Sequence, residues 1–147
     1  MARKAFSFLF FVYSFVSLTA ASITGAQSKY PETIAALQVA YVNEMQAHLN
    51  YLAYAQKAKS ENYPNIAYLF SSFAASEWTH ARNFKKVLLD LGVQVKETPK
   101  LEVKVSSTKG NLRSGIDFEI SDIDERYPQF LEKIKPEKHE GAIRSMI

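Results

Sequence analysis

The sequence predicts an all-α fold: an antiparallel helical bundle of three full helices and the start of a fourth. Three observations point to it. Apolar residues recur at steps of three and four along three separate stretches of about 25 residues each. Each stripe is apolar on one side only, so each helix must bury that side against another, which makes a bundle. The one alternating segment, Leu101-x-Val103-x-Val105, offers a single short strand with nothing to pair with.

The first helix is expected from about Pro31 to Lys59, with Ile34, Leu37, Tyr41, Ala47, Tyr51 and Ala55 on its apolar face. Pro31 suits a first turn, where its missing N–H costs nothing. The second runs from about Pro64 to Leu91, with Ile66, Leu69, Phe73, Phe84, Leu88 and Leu91 as its stripe and Gly92 as its C-terminal cap. Residues 93–110 read as a long crossover connection. The third helix is expected from about Lys109 to Ile134, capped by Ser107 or Thr108, with Leu112, Ile116, Ile123 and Phe130 on one face. A fourth begins near Lys138 in "KHEGAIRSMI".

A chain of 147 residues holds one domain at most. Its first residues have the order of a secretory signal: Arg3 and Lys4, the apolar run 5–18, then small and polar residues. Cleavage after Ala21 or Ala26 fits, and the second is preferred, leaving 27–147 as the mature domain and placing the protein in the periplasm or outside the cell. The alternative is an uncleaved membrane anchor, because no charge occurs between Lys4 and Lys29; its second half is only weakly apolar, however, and no stable span is expected after cleavage. The net charge is +3, or 3 − 2 = +1 without Arg3 and Lys4, with no basic stripe to serve nucleic acid. The absence of cysteine excludes a disulfide framework, a thiolate metal site and a cysteine-linked lipid anchor.

The informative residues are polar ones where the stripes should be driest. Glu44 falls between Tyr41 and Ala47. Glu77 falls between Phe73 and Phe84, with His80 three residues on and facing the same side; Glu119 falls between Ile116 and Ile123, with Asp122 three further. With the first turn centred near Glu61–Asn62 and a rise of about 1.5 Å per residue, Glu44 and Glu77 reach the same height on opposite sides of the seam. Buried carboxylates without a counter-charge cost several kcal/mol, and Arg82, Lys85 and Arg113 are placed on outer faces. A divalent cation resolves the conflict, and carboxylate with imidazole suits iron or manganese better than a soft metal. The metal candidates are therefore Glu44, Glu77, His80, Glu119 and Asp122. Tyr51 and Tyr127, near the same seams, are either packed with their hydroxyls on backbone carbonyls or orient a ligating carboxylate. His48, one turn after Glu44, is placed at the seam's edge, with a reach to the site as the alternative, and His139 at the surface near the last helix. Trp78 and Thr79 face away from the site.

Taken together, "NEMQAHLNYLAYAQKAKSENYPNIAYLF", "SEWTHARNF" and "GNLRSGIDFEISDIDERYPQF" resemble the rubrerythrins, a branch of the ferritin-like di-iron proteins, over about residues 30–147. The resemblance implies a ferritin-like bundle in which Glu44 is a terminal carboxylate, Glu77 bridges two irons, His80 stands one turn on and Glu119 is the third-helix carboxylate. Asp122 sits where the family usually has a second Glu whose coordination changes with iron redox state, so a shorter arm replaces a longer one. Tyr51 and Tyr127 correspond to the family's tyrosines near the irons.

Two family features are not found: a fourth-helix Glu-x-x-His and a cysteine-rich rubredoxin module. The expectation is that the domain is truncated before those ligands or takes them from another chain, as a homodimer or higher homo-oligomer, and that its electron donor is external. The implied activity is di-iron redox chemistry, either reduction of hydrogen peroxide or oxidation of ferrous iron. The alternatives are a non-enzymatic iron-binding or storage module, and a degenerate remnant that only packs.

Overall fold

The computed structural model describes residues 28–95 and 101–147, and the described chain is all helical. The expected signal segment, 1–26, lies outside the described residues. No helix among the described residues is long and apolar enough to cross a membrane.

Helix α1 (Pro31–Ser60) and helix α2 (Pro64–Asp90) form a long antiparallel hairpin. Both start on a proline in the first turn, where the ring presets φ and no donor is lost. Asn62 turns the chain between them at a left-handed φ of 62°, and Gly92 ends α2 at φ 73°. Small residues line the seam: Ala36, Ala40, Ala47, Ala55 and Ala58 of α1, and Ala74 and Ala81 of α2, are buried.

Helix α3 (Thr108–Ser121) begins on Ser107, whose hydroxyl accepts from Gly110 N at 3.2 Å. Glu61, in the α1–α2 turn, accepts from Thr108 N at 2.9 Å and so ties the start of α3 to the end of the hairpin. The segment before α3 forms no strand among the described residues. It is fixed by Asn111, whose side chain bonds both Ser106 N (2.8 Å) and Ser106 O (3.2 Å).

The third helix is not the single regular helix the periodicity suggests. Over Asp122–Arg126 it widens into a π-helical turn, then continues as α4 (Tyr127–Ile134). Pro128 gives the physical reason. It has no N–H for the carbonyl four residues back, and its ring crowds that carbonyl, so a wider turn relieves both. A 3₁₀ turn at Lys135–Glu137 and Lys138 at φ 55° lead into the short α5 (Glu140–Ser145). The Glu137 carboxylate reaches back across the fold to the first turn of α1, accepting from Glu32 N at 2.9 Å and Thr33 N at 2.8 Å.

The apolar stripes also need correction. On α2 the buried set is Phe70, Ala74, Ala81, Phe84 and Leu88, while Leu69 and Phe73 are half turned to solvent. On α3 the inward face is Thr108, Asn111 and Gly115, and the expected core residues Ile116 and Ile123 are 58 % and 69 % exposed. With Ile120 they form an exposed stripe at i, i+4, i+7. Periodicity finds one apolar face on this helix, yet the hairpin takes a polar and glycine face instead. Gly115 decides it. A Cβ there would lie 3.2 Å from Tyr51 Cε1, a tight contact, so glycine lets α3 come this close without moving the ring.

The core is split in two. One cluster joins Leu37, Ala40, Phe84, Leu88, Ile134, Ala142 and Met146; the other joins Ala47, Tyr51, Tyr54, Ala58, Phe70 and Ala74. Between them lies a layer of buried acids, Glu44, Glu77 and Asp122.

The Gly115 contact predicts that Gly115→Val forces Tyr51 off α3 and destabilises the fold by roughly 1–3 kcal/mol. Urea unfolding of the two proteins checks this.

Candidate metal centre

Glu44 sits midway along α1, one turn from Ala40 and one from Ala47. Glu77 occupies the matching place on α2 between Ala74 and Ala81. The hairpin therefore presses the two carboxyls together, at 2 % and 6 % exposure. His80, one turn on and half exposed, brings Nδ1 to 3.1 Å from Glu77 Oε2. One ligand atom from each of Glu44, Glu77 and His80 lies within 4.8 Å of the others. Together they form one wall of a cavity of about 420 Å³, which Glu119, Asp122, Ile123, Tyr127 and Met146 also line.

Each remaining candidate has a definite place. Glu119 is half buried and accepts from Tyr51 OH at 2.5 Å. Asp122 is buried and paired with Arg126. Both face the same cavity but stand outside the tight trio. Tyr127 OH donates to Glu44 Oε1 in a very short hydrogen bond. Both tyrosine hydroxyls thus serve acids of the site rather than backbone carbonyls. His48 points its Nδ1 at Ala74 O, 2.7 Å away, and packs beside Trp78, so it is a structural residue of the seam. His139 caps α5, accepting from Ala142 N at 3.0 Å. Thr79 bonds Ala75 O at 3.0 Å, away from the cavity.

The electrostatics follow from burial. Burial first, then the neighbouring Glu77, pushes the Glu44 carboxyl up to about 8. Burial also works to raise Glu77, but the hydrogen bond with His80 and the carboxyl of Glu44 beside it outweigh it and hold Glu77 below its ordinary value. The bond to Glu77 raises His80 against the opposing effect of burial. Asp122 is lifted to about 6 by burial, with Arg126 pulling the other way. Tyr51 and Tyr127 are both raised, by burial and by the acids they serve. Two abutting carboxyls in a dry seam cannot both ionise without a counter-charge, so Glu44 holds a proton where a cation is absent.

The donor set fits a divalent cation. Glu44 Oε2 is fully buried and has no hydrogen-bond donor. Carboxylate oxygens and one imidazole nitrogen surround the space beside it, a mix suited to first-row metals of intermediate hardness. Tyr51 and Tyr127 fix the carboxylates from behind, as outer hydrogen-bond partners of metal ligands do.

The rubrerythrin family model matches residues 35–146. The chain belongs to the rubrerythrin family. Rubrerythrin-2 of Clostridium acetobutylicum is 32 % identical over 109 residues, covering 74 % of this chain and 59 % of the relative. Nigerythrin of Nitratidesulfovibrio vulgaris is 26 % identical over 121 residues, covering 82 % and 60 %. Among solved structures, mixed-valence nigerythrin superposes with a TM-score of 0.72 at 30 % identity, covering 86 % of this chain and 60 % of that one. Fully reduced, all-ferrous nigerythrin gives 0.72 at 29 % identity, covering 87 % and 61 %. The bundle is thus the ferritin-like fold expected from the resemblance. This rubrerythrin-type chain spans about three fifths of the length of these relatives.

Arg126 is the site residue that sequence reasoning missed. Its signal was present, an Asp and an Arg four residues apart in "DIDER".

Protonation of Glu44 has a measurable consequence for the metal-free protein. Its folded value lies above the unfolded one, so its contribution to stability is complete below about 4.5 and is lost as pH rises towards about 8. Asp122 and His80, also raised, act in the same sense, and the lowered Glu77 acts the other way only below about 4.5. In chelator, the thermal midpoint should fall between pH 5 and 8, and Glu44→Gln should flatten that fall.

Proposed function

We propose that this chain is a di-iron oxidoreductase that reduces hydrogen peroxide or oxidises ferrous iron at the cluster of Glu44, Glu77 and His80. The observation that carries it is the orphaned Glu44 Oε2 beside Glu77 and His80, three ligand atoms within 4.8 Å of one another in a buried layer. Family membership supports iron as the metal, and one of the matched nigerythrin structures is described as all ferrous. Manganese fits the same donors.

Glu44, Glu77 and His80 would hold the metal, with Glu119 and Asp122 on the facing wall of the cavity. When bound, iron supplies the electron transfer that no side chain here can. The chain does the rest. Tyr127 holds Glu44 and Tyr51 holds Glu119, so both carboxylates are oriented before any metal arrives. Phe84, Leu131 and Met146 give the cavity apolar walls. Reduction of one peroxide to two waters consumes two electrons and two protons. The electrons come from an external donor and the protons from solvent, because Glu44 and His80 give up theirs to hold the metal.

A second reading is iron binding without turnover, and the single histidine of the trio favours it. Anaerobic loading with ferrous iron, followed by peroxide and a reductant, separates the readings. Sustained peroxide consumption is expected; bound iron with a single burst supports storage. Glu77→Leu should abolish iron uptake. A Glu77→Leu protein that is more stable and binds as much iron as the original would mean that the acids only pack.

Ile116, Ile120 and Ile123 form an exposed stripe, and its last member, Ile123, lines the cavity. We place a second copy of the chain there, contributing further ligands to the site. Sedimentation should give a dimer or larger assembly that Ile120→Lys breaks to monomer. Monomeric wild-type protein that still binds a full complement of iron argues against it.

A further inference from the structure

Asp122 and Arg126 are the two ends of the π-helical turn, whose backbone is closed by Tyr127 N–H on the Asp122 carbonyl. Arg126 makes a close ion-pair contact with Asp122 Oδ1. Its guanidinium carbon also stands 4.8 Å from the Phe118 ring centroid, so the side chain is held between a carboxylate and an aromatic face. The Asp122 side chain is 7 % exposed and that of Arg126 26 %. Asp122 Oδ1 accepts no well-directed hydrogen bond, so the pairing is a charge contact and not a bidentate fork. Asp122 lines the cavity of Glu44, Glu77 and His80, yet its oxygens are not among the converging ligand atoms. An aspartate arm is short. Its paired oxygen, Oδ1, has to leave Arg126 before it can ligate a cation at the trio.

We propose that Arg126 is a positioning residue that keeps Asp122 in reserve, so that a cation at Glu44, Glu77 and His80 has to compete with the guanidinium for Asp122. This rests on the metal-site reading above. The π turn serves the arrangement by bringing Asp122 to the cavity wall with Arg126 beside it. Glu77 and Glu119, the acids that face Asp122 from α2 and α3, repel it, and Arg126 is the cation that offsets them. The cavity is then an acid-rich site with its own internal counter-ion, and the metal competes with that counter-ion for the fourth carboxylate.

The test uses metal-free full-length protein titrated with cobalt(II), reading affinity by calorimetry and coordination number by visible absorption. Arg126→Leu should bind cobalt about tenfold more tightly, the usual scale for a residue that tunes a ligand from outside, with the spectrum of one added ligand. Asp122→Asn alone should weaken binding by less than Glu77→Gln does, through the unpaired Arg126 charge it leaves beside the cavity. In the Arg126→Leu, Asp122→Asn double variant the gain should vanish. A gain that persists in the double variant is plain charge repulsion and overturns the proposal. So does an Asp122→Asn loss as large as that of Glu77→Gln, which would make Asp122 an ordinary ligand. Arg126→Gln, which keeps the stem over Phe118, carries the same test if Arg126→Leu does not fold. Unaltered protein that takes up no divalent cation sinks the metal-site reading together with this one; the other adverse results sink only the role of Arg126.

Discussion

The structure turns on the contact between Glu44 and Glu77. Two long helices are zipped by alanines on either side of these acids, and the closeness that makes a good alanine seam also makes a poor place for two negative charges. Everything around the pair answers that tension. Tyr127 donates to one carboxyl, His80 pairs with the other, and Glu44 is pushed far enough up to keep a proton in the absence of metal. One Glu44 oxygen still lacks a donor. Native proteins rarely leave a buried acceptor in that state without a use for it.

The acid layer also divides the hydrophobic core. The cluster around Phe84, Leu88 and Ile134 and the cluster around Tyr51, Tyr54 and Phe70 are each well filled, and each supplies one tyrosine or its neighbours to the site between them. Packing and chemistry are therefore joined in the same side chains. Tyr51 lies against Gly115 and Phe70 while its hydroxyl holds Glu119. Tyr127 packs on Phe84 and Phe130 while its hydroxyl holds Glu44. A loss of packing at either tyrosine is also a loss of carboxylate position.

The π turn is the other structural device. Pro128 cannot accept a regular helix before it, and the wider turn that results sets the direction in which Asp122 and Arg126 leave the backbone. π turns inside helices occur often at functional sites, and this one lies on the wall of the cavity.

The sequence alone determined the helices, their approximate ends and the coincidence in height of Glu44 and Glu77. Those follow from local rules: the 3.6-residue period, prolines in first turns, Gly92 after the last turn and a fixed rise per residue. The motifs also carried the family. Tertiary structure decided the rest. Ile116 and Ile123 read as core because periodicity records that a face is apolar, not what covers it, and only the close approach at Gly115 shows which face α3 turns inward. Leu69 and Phe73 were misplaced for the same reason, since a one-residue rotation of α2 brings Phe70 and Ala74 to the seam instead. Whether Asp122 joins the trio or is held by Arg126 depends on a backbone widening of a fraction of a turn, which is set by packing and by a proline and is invisible to any count of residue spacing.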